Sequence, residues 1–521
     1  MLTHIFNNRF ILVFIIPFFL GSLTILSFQP FNLTIINFLI FPFFFYIVSY
    51  INKKSKNTYR KKPFLVNLFY VGYLFGIGFF FTGTYWISNS LTFDESFKNF
   101  VPLTLIILPL LLGLFYGLGI LLIGKYIKLD FISLLLFSGM LSVIDYARAK
   151  ILTGFPWNLW AYSWSWFTEI IQILNPVGLF AFNLLSITFF LTPAILLFKK
   201  FKYKIPSIII ILLLFFTNYM HGNYIINTNK IELKKISEQN KFINIKLVSP
   251  NFELKYNLSN NQIDKRIKKL IKYSEAEKNK KTLFIWPEGA LSGKYFFEIK
   301  KYKKLINESF SKNHLIIFEV NTLDKKNDKF YNSFVIIDHN LNKVFQYDKI
   351  KLVPFGEFMP MQKFFEKIGL KKITEGIGSF SKGKTKKNYL YDEIKIIPLI
   401  CYEIIFSELI QGVKEKQKVI INISEDAWFG NSIGPYQHFS KSVFRAVESD
   451  SFVVRSTNKG VSAIINNKGQ IVKSLKNNES GNIEYRLPIF ENSGRNKNDL
   501  IFFLLLFTYG LIFLNYKKND Y

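Results

Sequence analysis

Eight apolar runs, each near or above the ~17–25 residues needed to cross the hydrocarbon core of a bilayer, constrain this 521-residue chain more than any other feature. They lie at about Phe10–Phe28, Leu33–Ile51, Leu65–Ile87, Val101–Leu122, Leu129–Tyr146, Thr168–Phe198 and Ile205–Met220, with a last one at Leu500–Asn515. Seven helices before a long polar stretch and one after it are therefore expected. Phe28, Gln29, Pro30 and Phe31 follow the first run where a leader would carry small residues, so this run reads as an uncleaved helix. Pro176 and Pro193 interrupt the longest run, which predicts a kink or a re-entrant piece there.

Loop charge sets the orientation. Lys53, Lys54, Lys56, Arg60, Lys61 and Lys62 crowd the second loop, Lys125 and Lys128 the fourth, and Lys199, Lys200, Lys202 and Lys204 the sixth. The excess of Lys and Arg marks those loops as cytoplasmic. Ser88–Phe100, with Asp94 and Glu95, and the aromatic-rich Ala147–Phe167 then face outward, as does the polar stretch His221–Asp499. Lys517 and Lys518 return to the cytoplasm. Within the second outward loop, T-G-F-P-W-N-L-W (Thr153–Trp160) followed by Tyr162, Trp164 and Trp166 reads as an interfacial aromatic belt or as a substrate lining.

Half of the residues are hydrophobic, yet one in five is charged, which fits a membrane part joined to a water-exposed part. The formal charge of +30 comes from scattered lysines with no dense basic block and no nucleic-acid motif. It reads as a solvated surface with some attraction to anionic lipid head groups. A single cysteine excludes an intramolecular disulfide framework.

The chain divides into a polytopic membrane domain at 1–225, a globular domain at 226–490 and a last helix with a short tail at 491–521. Within the globular part, strand-like runs recur at Ile243–Val248, Leu283–Ile285, His314–Glu319, Ser333–Ile337, Ile394–Ile400, Val419–Ile423, Phe452–Ser456 and Val461–Ile465. Helical patterns such as Asn261–Asn279 and Gln437–Val447 alternate with them, which is an α/β pattern. Asn458-Lys459-Gly460 and Asn466-Asn467-Lys468-Gly469 are turn clusters that predict hairpins among the last strands.

The only cysteine, Cys401, follows the buried run Ile394–Ile400, and Ile404, Ile405, Phe406, Leu409, Ile410 and Val413 then recur at helical spacing. A thiol at such a strand-to-helix corner is expected to be activated by the positive end of the helix. Glu288, in F-I-W-P-E-G, stands just beyond another strand-like run at a Pro-Gly-flanked turn, where side chains of α/β sheets converge on a site. Tyr347–Pro360, Y-D-K-I-K-L-V-P-F-G-E-F-M-P, supplies Lys349, Lys351 and Glu357. A carboxylate can take the thiol proton and return it, while an ammonium steadies a developing oxyanion. No histidine is required for this, and His438 reads as a packed, hydrogen-bonding residue. No His or Cys cluster has metal-ligand spacing and no glycine-rich phosphate loop follows a strand.

W-P-E-G, the later lysine and the single cysteine, in that order, resemble the carbon-nitrogen hydrolase (nitrilase) superfamily. Y-D-K-I-K-L-V-P-F-G-E-F-M-P, I-C-Y-E, S-E-D-A-W-F-G, G-P-Y-Q-H-F and R-S-T-N-K-G resemble its membrane-bound branch, the apolipoprotein N-acyltransferases, and T-G-F-P-W matches their outward loop. The resemblance implies a nitrilase-like α-β-β-α sandwich inserted between transmembrane helices, facing the periplasm from a bacterial inner membrane. It further implies Glu288 as general base, Lys349 as transition-state stabiliser and Cys401 as nucleophile, with Glu357, Tyr402 and Glu403 in support and neither metal nor cofactor. The implied reaction moves an acyl chain from a phospholipid, through a Cys401 thioester, to the α-amine of a diacylglyceryl-cysteine at the N-terminus of an apolipoprotein. Three positions depart from the pattern. Only Tyr256 stands near the family's tryptophan after the first strand of the domain, Lys351 replaces a common His, and Glu425 replaces a common Asn. A membrane-tethered nitrilase-type amidase is the alternative that the same residues allow. A non-enzymatic receptor or transporter fits less well, because the apolar runs carry few charges.

Overall fold

The apolar runs become helices because a run without water must bond its own backbone. The computed structural model describes residues 8–57, 63–93, 95–199, 201–255, 258–360, 380–412, 417–492 and 499–519. Among these, six helices are long and apolar enough to cross a membrane, in the segments Thr34–Lys54, Phe64–Phe93, Lys98–Tyr126, Phe131–Lys150, Leu179–Leu197 and Lys204–Glu238. Two shorter apolar helices, Ile11–Ser27 and Leu500–Asn515, account for the first and last runs. The interrupted run breaks as expected, into the turns Thr168–Ile171 and Leu174–Val177, a reversal at Gly178 (φ 84°), and the helix Leu179–Phe190. Tyr256, Asp94, Arg60, Lys61, Lys62, Lys200 and Val413 lie outside the described residues.

The chain forms two compact units. One comprises Met1–Ser88, Pro102–Tyr224 and Lys497–Tyr521, and the other Asn89–Val101 and Ile225–Asn496. In the first, the helix Ile16–Leu23 meets Pro63–Thr84 so closely that a Cβ on Gly21 would stand 2.0 Å from the Phe75 carbonyl oxygen, and one on Gly78 equally close to that of Phe18. Small residues admit this approach, which is how helices associate where no water is squeezed out. The Thr153–Trp160 loop is core and not belt. Trp157 and Trp160 are 1% and 0% exposed, and Trp160 stacks on Phe79 at 4.5 Å and meets Phe41 edge-on at 4.8 Å. Buried Arg148 holds the loop by donating to the Trp157 carbonyl oxygen at 2.7 Å and to Asp145 at 3.0 Å. Of these tryptophans only Trp166, 44% exposed, has the exposure of a belt residue.

The second unit is an α-β-β-α sandwich. Its strands are β1 (Phe242–Ser249), β2 (Thr282–Ile285), β3 (His314–Asp324), β4 (Lys329–Ile337), β5 (Lys343–Asp348), β6 (Tyr389–Tyr391), β7 (Ile394–Ile400), β8 (Lys418–Glu425), β9 (Phe452–Asn458), β10 (Ser462–Ile465), β11 (Ile471–Leu475) and β12 (Gly481–Pro488). They form two six-stranded sheets in the orders β12-β1-β2-β3-β4-β5 and β11-β10-β9-β8-β7-β6. Alternate residues of both sheets, among them Ile245, Ile285, Ile317, Phe334, Ile396, Ile421, Val454 and Ile464, fill the space between them. The helix Asn260–Ser274 lays Ile263, Ile267 and Leu270 on the outer face of the first sheet, against Phe284, Trp286 and Ile316. The helix Gly434–Ser449 packs on β9 of the second. The turn clusters do make hairpins, since β9, β10 and β11 pair antiparallel in sequence order.

Candidate active site

Strands β1, β2 and β3 run parallel in one sheet and β7, β8 and β9 in the other, so each sheet gathers carboxyl ends at one edge of its layer. Ser456 ties the two layers together there by donating to the Val248 carbonyl at 2.9 Å and to that of Ile285 at 3.2 Å. Such ends are where open α/β sheets present side chains to a ligand.

Glu288 stands three residues beyond β2. The following Gly289 has φ 74°, and a Cβ there would lie 2.1 Å from Glu425 Oε2, so only glycine fits the turn. Three partners fix the Glu288 carboxylate. Asn332 Nδ2 on β4 donates to Oε1 at 3.0 Å, Lys349 Nζ approaches the same oxygen at 3.4 Å, and the Glu425 backbone N–H donates to Oε2 at 3.0 Å. Lys349, placed just after β5, also donates to Glu357 Oε1 at 2.8 Å, and Asn332 reaches that oxygen at 3.0 Å. The Val353 N–H secures the other oxygen of Glu357 at 2.8 Å. Glu288, Lys349 and Glu357 are thus one hydrogen-bonded cluster.

Cys401 follows β7 with φ 49°, a left-handed value that a β-carbon resists and that aims the side chain off the strand end. The thiol is free and buried, and it feels the charges of both Glu288 and Lys349. Burial and then Glu288 push it well above the usual thiol range, with Lys349 and a hydrogen bond from Ser424 opposing. This corrects the expected helix-start activation. Two 3-10 turns, Cys401–Ile405 and Ser407–Leu409, stand where the apolar spacing predicts a helix. The reason is Glu403, which is fully buried and accepts from the N–H groups of Ile350 at 2.7 Å, Lys351 at 3.0 Å and Ile400 at 2.9 Å and from the Tyr347 hydroxyl at 2.8 Å. Four donors pin the turn to the Lys349 segment and prevent it from winding on. Tyr402 packs edge-on against Phe406 at 5.1 Å.

Electrostatics complete the site. Burial pulls the Lys349 ammonium down, but Glu288 and Glu357 outweigh it and hold the group well above its usual range. Two further carboxyls stand behind Glu288: Glu319 carries no site signal of its own, and Glu425 shows in the sequence only as a departure from the Asn common in the family it resembles. Glu319 on β3 accepts from the Gly289 N–H at 3.2 Å, and burial and then Glu288 push it up to about 8. Glu425 is raised well above the usual range, first by burial, while accepting from Asn458 at 2.8 Å. Asn332 and Glu319 are polar residues within otherwise apolar strands, and that interruption is the one signal they leave in the sequence. His438 is packed, as expected, with Nδ1 3.0 Å from Asp426 Oδ1. Among the described residues no group of three or more His, Cys, Asp or Glu side chains is arranged to hold a metal ion.

The sandwich is that of a carbon-nitrogen hydrolase domain, here in a chain with six apolar helices of membrane-spanning length among its described residues. The carbon-nitrogen hydrolase family model matches residues 253–488, and that of the apolipoprotein N-acyltransferase N-terminal domain matches 20–192. The chain is 33% identical to the apolipoprotein N-acyltransferase of Rickettsia typhi over 482 residues, covering 91% of this chain and 92% of that one. It is 28% identical to that of Rhodopseudomonas palustris over 494 residues, covering 91% and 89%. A solved nitrilase-superfamily structure, Nit3 of Saccharomyces cerevisiae, aligns over 48% of this chain and 90% of its own at 19% identity and a TM-score of 0.34. The chain belongs to the apolipoprotein N-acyltransferase family, a family of multi-pass bacterial membrane acyltransferases.

Proposed function

We propose that this acyltransferase works in two steps through Cys401. Glu288 takes the thiol proton as Sγ attacks an ester carbonyl of a phospholipid, and Lys349 steadies the oxyanion. The proton passes to the departing alcohol, which leaves a thioester and a lysophospholipid. The α-amine of a diacylglyceryl-cysteine then attacks the thioester, an amide forms, and the proton lost by the amine returns the thiol to Cys401. Glu357 keeps the Lys349 ammonium in place, and Glu403, with Tyr402 beside it, holds the turn. A thiol pushed up by burial is protonated at rest, so attack needs a base at that moment, which is the part assigned to Glu288. The observation that carries the reading is the buried Lys349 ammonium, bonded to both glutamates and electrostatically coupled to the one cysteine.

The setting follows from the substrates. Both are lipids held in one leaflet, and we infer a bacterial inner membrane with residues 226–490 on its periplasmic side, between a membrane domain at 1–225 and a last helix within 491–521. Seven crossings before the domain and one after it require the two shorter helices to span as well. The test is intact mass of the purified enzyme incubated with phospholipid and no acceptor. A gain of one acyl group on the parent and none on Cys401→Ala, lost again on adding a diacylglyceryl lipopeptide amine, supports the reading. No gain, with ammonia released from simple amides, overturns it in favour of the amidase.

A further inference from the structure

Residues Asn89–Val101 connect two apolar helices in sequence and lie outside the segment matched to the carbon-nitrogen hydrolases, but they belong to the compact unit of the sandwich. They grip the 3-10 turn Asp426–Phe429. Asn89 Nδ2 donates to the Phe429 carbonyl at 2.8 Å. Gly430, which ends the turn, has φ 60° and ψ −160°, a region open essentially to glycine alone, and a Cβ there would stand 3.0 Å from Asn89 Nδ2. Phe93 meets the ring of Trp428 edge-on at 6.1 Å, and Leu91 is buried between these two contacts in sequence.

The turn matters because of the residue just before it. The Glu425 N–H reaches Glu288 Oε2 at 3.0 Å, whereas Asn332 and Lys349 both address Oε1. Two partners on one oxygen leave a carboxylate free to rock about that oxygen, and the third removes the freedom. Glu425 is the last residue of β8, paired with Asn458 on β9, so its amide is held by the strand on one side and by the Asp426–Phe429 turn on the other, and what steadies the turn steadies the plane of the Glu288 carboxylate.

We propose that Asn89 is a positioning residue for acyl transfer, acting through the Phe429 carbonyl on the turn whose leading amide orients Glu288. The inference rests on the reading of Glu288 as general base. It predicts a loss in the rate of the chemical step and not in the capture of donor lipid.

The experiment uses the full-length enzyme in mixed micelles with a diacyl phosphatidylethanolamine and no acceptor, following the thioester by intact mass. Asn89→Asp keeps the shape and removes the donor, and Asn89→Ala removes both. Each is expected to slow thioester formation at saturating lipid about 10–100-fold, as a misplaced catalytic group does, with the half-saturating lipid concentration and the melting temperature essentially those of the parent. Lys98→Ala, an exposed change in the same segment, is expected to keep the parent rate. Asn89 variants that react at the parent rate, or whose loss lies wholly in half-saturation or in the folded fraction, overturn the proposal. Glu288→Gln separates the two readings. If it reacts at the parent rate, the base assignment falls and this inference with it, whereas a silent Glu288→Gln beside a fully active Asn89→Ala removes the inference alone.

Discussion

Two buried ionic clusters sit at strand ends of the sandwich, and they are built on opposite plans. Around Lys349 there are Glu288, Glu357 and Glu319, with Glu425 behind them facing Arg266, so carboxyls outnumber cations, and the Glu288 and Glu357 side chains keep 10% and 15% of their exposure. Around Asp426 the balance is closed and dry. Its Oδ1 accepts from Ser424 at 2.7 Å and faces His438, its Oδ2 accepts from Arg455 at 2.8 Å, and the Asp426, Arg455 and His438 side chains are fully buried. Burial pushes Asp426 up, but Arg455 and His438 outweigh it and hold the carboxyl well below its usual range, while burial and then Arg455 lower His438. Burial alone therefore does not separate chemistry from scaffold. The cluster with surplus protonatable groups and a path to solvent is the one equipped to change charge during a reaction, and the matched one is equipped to stay as it is.

The comparison breaks most sharply at Lys349. Lys349→Met is expected to cut the rate of thioester formation by about 10²–10³-fold or more, the usual loss for an oxyanion partner, with the variant still folded in a thermal scan. A variant near parent activity would make this cluster scaffold too. Asp426→Asn should do the reverse. Leaving the Arg455 guanidinium without its charge partner costs about 3–5 kcal/mol, read as a lowered melting temperature or lost folded protein, whereas Lys349→Met leaves the fold standing.

Glu319 sharpens the contrast through pH. Its carboxyl is raised to about 8 in the fold, so between the ordinary glutamate range and about 8 the folded state binds the extra proton and stability falls as pH rises. Glu319→Gln should remove that slope, on the order of 3–5 kcal/mol, so that melting curves at pH 5 and pH 9 draw together relative to the parent. The smallest effect belongs to the part-exposed pair Lys351–Glu408 at 2.9 Å, with side chains 25% and 32% exposed. Lys351→Ala should change stability by less than about 1 kcal/mol and leave the thioester rate alone.

What was legible in the chain follows from how each element is buried. The eight strand-like runs read from apolar stretches all correspond to strands, because strands with neighbours on both sides carry near-continuous apolar runs. The four strands without such a signal, β5, β6, β11 and β12, are the four edges of the two sheets. β11 is almost wholly exposed and β6 has three residues, so neither needs an apolar run. Glu288 and Cys401 could be read because each follows a strand with an apolar signal, and Lys349 because it lies in the Tyr347–Pro360 stretch that carries the family resemblance. Asn332 and Glu319 could not, because their part depends on which strands become neighbours. The apolar residues after Cys401 mimic a helix in spacing, but Glu403 takes its hydrogen bonds from Ile400 and from the distant Tyr347–Lys351 segment, and the turn stays short.

The buried thiol at the end of β7 is also the only one in 521 residues. On the proposed thioester route, a count of thiols titrated in denaturant, with the thioester preserved at mildly acidic pH, equals the fraction of enzyme not carrying an acyl group. The unmodified protein is its own stoichiometric reporter, and loading by one lipid or discharge by one acceptor can be followed without a cysteine-free background or an engineered label.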